Sequence, residues 1–205
     1  MNYETLVPRE VILKTIEALK DRGLLAELVN SKKEALEKIK SLIPVGASVN
    51  NGSSITLKEI GFVDYLKSSE HGWNNLHEAV LAEKDPAKQA ELRKLSNFAD
   101  YYLGSVHALA ETGEMVIASA TGSQLPSLAN TAKNIILVVG AQKIVPTLEE
   151  ALKRLREYVV PLEDKRMKST GAPGTVLAKI LIMERETAYM GRKISVIIVN
   201  EKLGF

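Results

Sequence analysis

A chain of 205 residues is about one and a third times the ~150-residue span of a typical domain, which predicts a single domain over 1–205. Its 27 basic and 25 acidic residues leave a formal charge of +2, too even to suggest a nucleic-acid or anionic-membrane surface, and 45% hydrophobic with 25% charged residues excludes a disordered chain. With no cysteine, disulfides, thiolate zinc sites, iron–sulfur ligation by this chain and a cysteine nucleophile are excluded, which fits a reducing cytoplasm.

Taken in order, the first forty residues predict helix, strand, helix. Val11, Ile12, Ile16 and Leu19 fall at helical spacing in an N-terminal helix within 1–22, and Gly23 stops it. Charges at Glu4, Arg9, Glu10, Lys14, Glu17 and Lys20 deny this segment the apolar core of a secretion signal. A strand follows at Leu24–Val29. Ser31, with Glu34 three positions on, caps a second helix. Ala47–Asn50 is a second brief strand that runs into Asn51-Gly52-Ser53-Ser54 and a short helix, Ile55–Ile60. This alternation is the grammar of a parallel-sheet α/β domain.

Residues 65–98 are polar and lack strand-like runs, so they predict a helical insertion covering an edge or mouth of the sheet. Strands return at Tyr101–Gly104 and Val106–Ala110, and the turn Glu111-Thr112-Gly113-Glu114 leads back through Met115–Ser119 as a hairpin. Thr121-Gly122-Ser123-Gln124 opens a short helix, and Asn134–Val139 is the most apolar strand, stopping at Gly140. Its five-residue core is far below the ~20 apolar residues that span a bilayer. Thr147 caps a helix over Leu148–Tyr158, which Pro161 is expected to break, and strands at Lys179–Met183 and Ile194–Val199 flank a turn around Gly191.

Two loops are candidates for ligand binding. Asn51, Gly52, Ser53 and Ser54 join a strand end to a helix start, where free backbone N–H groups attract phosphate or carboxylate. An ordinary Asn-Gly turn with a serine cap is the alternative there. Glu111, Thr112 and Gly113, followed by Gly122 and Ser123, gather carboxylates, hydroxyls and glycines at a second such stretch, against the alternative of an exposed hairpin tip. In one open sheet both loops would face the carboxyl edge, where ligands settle.

His107 lies among apolar strand residues, as either a satisfied histidine or a general base. Lys143, just beyond Gly140, is either a counter-charge for an anion or an ordinary solvated lysine. His71 and His77 are too poorly spaced to share a metal, and His77-Glu78 lacks a second histidine four positions on, so no metal is expected. No dinucleotide, Walker or nucleophile-elbow signature occurs.

The stretch Asp100–Glu114 (Asp-Tyr-Tyr-Leu-Gly-Ser-Val-His-Ala-Leu-Ala-Glu-Thr-Gly-Glu), then Gly122-Ser123-Gln124 and Asn134–Pro146, resembles the lactate-utilisation (LUD) domain family. So do Asn51–Leu57, Glu59-Ile60-Gly61, Leu148–Ala151 and Val199–Phe205. The resemblance implies a Rossmann-like open α/β sheet of the sugar-phosphate isomerase/coenzyme A transferase-like type, with anionic ligands held in a cleft above the strand ends. It implies a component of a lactate-oxidising system working beside iron–sulfur oxidoreductase partners. The chain looks like a stand-alone member, lacking the cysteine-rich extension of longer ones.

Coenzyme A transferases form a thioester on a glutamate, a role for which Glu111 or Glu114 is the nearby residue. Cofactor and mechanism stay open. The expected ligand is a small anionic metabolite. If the protein catalyses, Glu111 is the acid/base or acyl-accepting carboxylate and His107 the second candidate. The rival readings are a non-catalytic subunit docking an iron–sulfur partner, or a transferase or isomerase of unrelated substrate. No nucleic-acid or membrane partner is expected, and apolar strands such as Val196–Val199 suggest edge pairing in a homodimer.

Overall fold

Side chains on a strand point alternately to opposite faces, so a strand that is apolar throughout must be covered on both. In the computed structural model, which describes residues 1–68 and 70–205, six parallel strands meet that demand. They are β1 (Leu25–Val29), β2 (Ser48–Asn51), β3 (Asn74–Asn75), β4 (Tyr101–Gly104), β7 (Asn134–Gly140) and β10 (Lys193–Val199), in the order β1-β10-β7-β4-β2-β3. All five pairings are parallel. On β7, Ile135, Leu137 and Val139 enter one core while Ile136 and Val138 enter the other. Ile194, Val196 and Ile198 of β10 divide from Ile197 and Val199 in the same way.

A second, four-stranded sheet joins β5 (Ala108–Ala110), β6 (Met115–Ser119), β8 (Ile144–Val145) and β9 (Lys179–Met183) in the order β8-β5-β6-β9. The β5–β6 hairpin forms as its turn requires, with Ala110 opposite the Glu114 carbonyl and Gly113 at φ +100°. The layers follow from the cores. Helices α2 (Lys32–Leu42), α3 (Ile55–Glu59) and α4 (Phe62–Lys67) cover one face of the large sheet. Helix α1 (Arg9–Asp21) and the small sheet cover the other, through Ile12, Ile16, Leu109, Met115 and Ile117. The far face of the small sheet packs on α7 (Leu148–Arg154) and the turn that continues it, through Ala151 and Leu155. Each such fully buried Ile or Leu contributes roughly 1.5–3 kcal/mol.

Several sequence expectations need correction. Residues 65–98 do hold helices, α5 (Leu76–Ala82) and α6 (Pro86–Leu95), but Asn74–Asn75 also adds β3 to the sheet edge beside β2. The segment Val196–Val199 is not an edge: β10 is paired on both sides, with β1 and β7, so it offers no ladder to a second copy. β9 and β10 flank Gly191 but belong to different sheets.

Pro161 does not end the helix. A π-helical turn, Leu155–Val159, precedes α8 (Val160–Ser169) and places Pro161 in that helix's first turn, where a missing N–H costs nothing. Ser31 caps α2 by accepting the Glu34 N–H at 3.2 Å, while the Glu34 carboxylate reaches back to the Asn30 N–H at 2.9 Å.

Candidate functional site

The parallel strands β2 and β4 end side by side, and the chain leaving each turns away from the sheet. Between those exits lies a cavity of about 580 Å³. The Asn51–Thr56 segment forms one side and Ser105–His107, after β4, the base. The loop Ser119–Gln124, after β6, contributes another side, and Leu155, Val159, Glu163 and Arg166 of the π-turned helix face it. Gly204 and Phe205 complete the wall. The geometry that the two hydroxyl loops need is present: Ser53 and Ser123 line the same cavity. They reach it from different sheets, however, not from adjacent exits of one.

Lys143 lies in the base of this cavity. It sits on the 3₁₀ turn Ala141–Lys143 just past β7 and is only 2% exposed. Its Nζ donates to Thr56 Oγ1 at 3.0 Å, Ser105 Oγ at 3.1 Å and the Val106 carbonyl at 3.2 Å. None of these acceptors is charged. Burial first, then the positive charge of Arg154, push the ammonium pKa down to about 7 against the opposing charge of Glu59.

His107 accepts the Ala118 N–H on Nδ1 at 3.0 Å, which assigns its proton to Nε2. Burial first, then Lys143 and Arg154, push its pKa down to about 3, so it is a neutral donor at physiological pH. Arg154 is fully buried and donates to the His107 carbonyl, while its Nε and Nη2 find no partner among the described residues. Its guanidinium lies over the Tyr158 and Tyr3 rings, 5.1 and 5.7 Å from their centres. Burial lowers its pKa to about 10, which leaves it charged at neutral pH.

The remaining expected residues divide. Ser53 is exposed at the rim, whereas the Ser54 hydroxyl accepts the Leu57 N–H at 3.2 Å and is used in capping α3. Gly52 is required by its neighbours: a Cβ there would come within 2.5 Å of Tyr102 Oη and 2.6 Å of Gln124 Oε1. Asn51 lines the cavity, its Nδ2 donating to the Gly52 carbonyl at 3.1 Å and its Oδ1 buried without a partner among the described residues. Gly122 serves the turn, at φ +86°, and is not part of the lining, while Thr121 and Ser123 beside it are. Gly140 packs under the C-terminal segment, where a Cβ would meet Leu203 N at 2.7 Å.

Glu111, Thr112 and Gly113 are not at the cavity. Glu111 and Thr112 line a separate hollow with Lys14, Arg22 and Arg185. There Glu111 faces Lys14 at 3.7 Å and the Thr112 carbonyl accepts Arg22 Nε at 2.6 Å. The hairpin turn points them toward the end of α1, so a shared site with Ser53 is geometrically closed to them.

Sequence reasoning missed Ser105, Thr56 and Arg154. For Arg154 a signal exists: it occupies the apolar stripe of its helix beside Ala151 and Leu155, where a solvated arginine has no place. Among the described residues no cluster of three metal-ligating side chains occurs, and no helix is long and apolar enough to cross a membrane.

The fold recurs in a crystal structure of a DUF162 family protein from Deinococcus radiodurans, with a TM-score of 0.58 over 96% of this chain and 100% of that one. At 13% identity this likeness speaks to the fold alone. Comparison with the curated proteins gives no match. The profile of the LUD domain matches residues 12–199, nearly the whole length, and the chain therefore belongs to the LUD domain family.

Proposed function

We propose that this LUD-domain protein takes part in the utilisation of lactate or a related organic acid by holding a small anion in the cavity over the strand ends. Membership of the family supports a general role in lactate utilisation. The observation that carries the finer reading is the uncompensated charge: Lys143 is buried against three neutral acceptors and Arg154 behind it also lacks a carboxylate partner. Burying a cation without a counter-ion is costly, and an anion in the cavity supplies the missing partner. Ser53, Ser123 and the Nε2–H of His107 offer neutral donors around it.

Binding and protonation are then linked. The anion prefers the ammonium form, so affinity is greatest below pH 7 and falls as pH rises through the Lys143 pKa of about 7. Thermal unfolding with lactate, pyruvate or inorganic phosphate tests this. A rise in Tm is expected with at least one of them, lost in Lys143→Met and retained in Glu111→Gln; a flat response to all three defeats the reading.

A further inference from the structure

An amine buried this deeply reaches a ligand only through what surrounds it. The Nζ of Lys143 has three neighbours at hydrogen-bond distance, which fill its tetrahedral shell and leave no direction for direct attack on a substrate. As an ammonium it donates to all three. As a neutral amine it has two N–H groups and a lone pair, so one of the three must donate to it. The Val106 carbonyl has no proton, whereas both hydroxyls have one: that of Thr56, 1% exposed, has the Leu203 carbonyl as a further acceptor at 3.4 Å, and that of Ser105 has the Val106 carbonyl at 3.4 Å. All three partners line the cavity, but Thr56 and Val106 are each only 1% exposed; Ser105 is half-buried, and its hydroxyl is the one that both a ligand and Lys143 can reach.

We propose that Ser105 and Lys143 form a nucleophile–base pair, and that the cavity accepts an activated acyl compound, an ester or thioester of an organic acid. Ser105 Oγ forms a bond to the acyl carbon while its proton passes to Lys143 Nζ. Collapse of the tetrahedral adduct breaks the bond to the leaving alkoxide or thiolate, which takes that proton back. Water then attacks the acyl-serine by the same route and releases the acid. The Nε2–H of His107, on the same cavity lining and neutral at working pH, is the donor available to the developing oxyanion. Serine–lysine pairs on unrelated folds perform this chemistry by the same division of roles.

The base is poised for it. Its pKa of about 7 is set by burial and Arg154, with Glu59 opposing, and His107, the other titratable group beside it, stays uncharged. The inference rests on the cavity being the ligand site but not on the ligand being anionic. The probe is therefore neutral p-nitrophenyl acetate, and its result is separable from the thermal response to lactate or phosphate.

Wild-type protein is expected to release a burst of p-nitrophenolate and to carry one acetyl group on the Ser105 peptide by mass spectrometry. The acylation rate rises through pH 7 and levels above it. Ser105→Ala abolishes the adduct at that peptide, and Lys143→Met slows acylation by about 10²-fold or more. Should Lys143→Met fail to fold, the wild-type pH profile decides. No adduct, an adduct on another residue, or a rate indifferent to pH across 6–8 overturns the proposal.

Discussion

The cleft and the hairpin turn carry the same kinds of residue and differ in how their charges are settled. At the turn, Arg22 meets Glu114 at 2.5 Å and Glu184 at 3.1 Å, and Lys14 faces Glu111, so these charges are matched by opposite ones. In the cleft Lys143, and behind it Arg154, are buried among neutral acceptors and aromatic rings. The turn is electrostatically finished and the cleft is not. A balanced cluster locks the hairpin to α1, whereas an unbalanced one is held in place by surrounding packing and is free to take a counter-ion or move a proton.

Substitutions in the two regions sharpen this contrast. The largest effect is expected at Lys143, whose folded pKa lies below its ordinary value of 10.5, so the unfolded chain binds more protons between the two. Wild-type stability therefore gains about 3 kcal/mol from this group as pH rises from 7 to 9.5, and none below 7. Denaturant unfolding of wild type and Lys143→Met at both pH values should show the gain in wild type only.

Next, Arg22→Met removes a largely buried ion pair with Glu114, a more exposed one with Glu184 and the bond to Thr112, and should destabilise by about 1–3 kcal/mol while the ligand-induced Tm shift persists. Gly52→Ala forces a Cβ onto Tyr102 and Gln124 and is expected to cost about 1–3 kcal/mol by urea unfolding, with weakened ligand response because that wall of the cleft moves. Smallest, Glu111→Gln breaks one exposed ion pair and should change stability by less than about 0.5 kcal/mol with no effect on the ligand. A Glu111→Gln protein that loses its ligand response would merge the two regions and remove the distinction.

Most elements were readable from local pattern because local rules determine them: the apolar run Ile135–Val139, the caps at Ser31 and Thr147, and the hairpin at Gly113. Both hydroxyl loops were legible as well, since turn chemistry marks them. What was hidden depends on which sheet a strand joins. The position of Glu111 follows from the hairpin's membership of the second sheet, and pairing partners leave no mark on a short apolar run. Lys143 and Arg154 were unreadable as a pair for the same reason: only packing of the π-turned helix onto the small sheet brings them to one place. Pro161 misled because a π turn absorbs its missing N–H ahead of it.

The unbalanced charge at Lys143 is most directly tested by nitrogen-15 NMR of its side chain across a pH titration, with and without lactate. The account expects a midpoint near pH 7 that moves upward when the anion is added. A midpoint near the ordinary 10.5, indifferent to the anion, would contradict it.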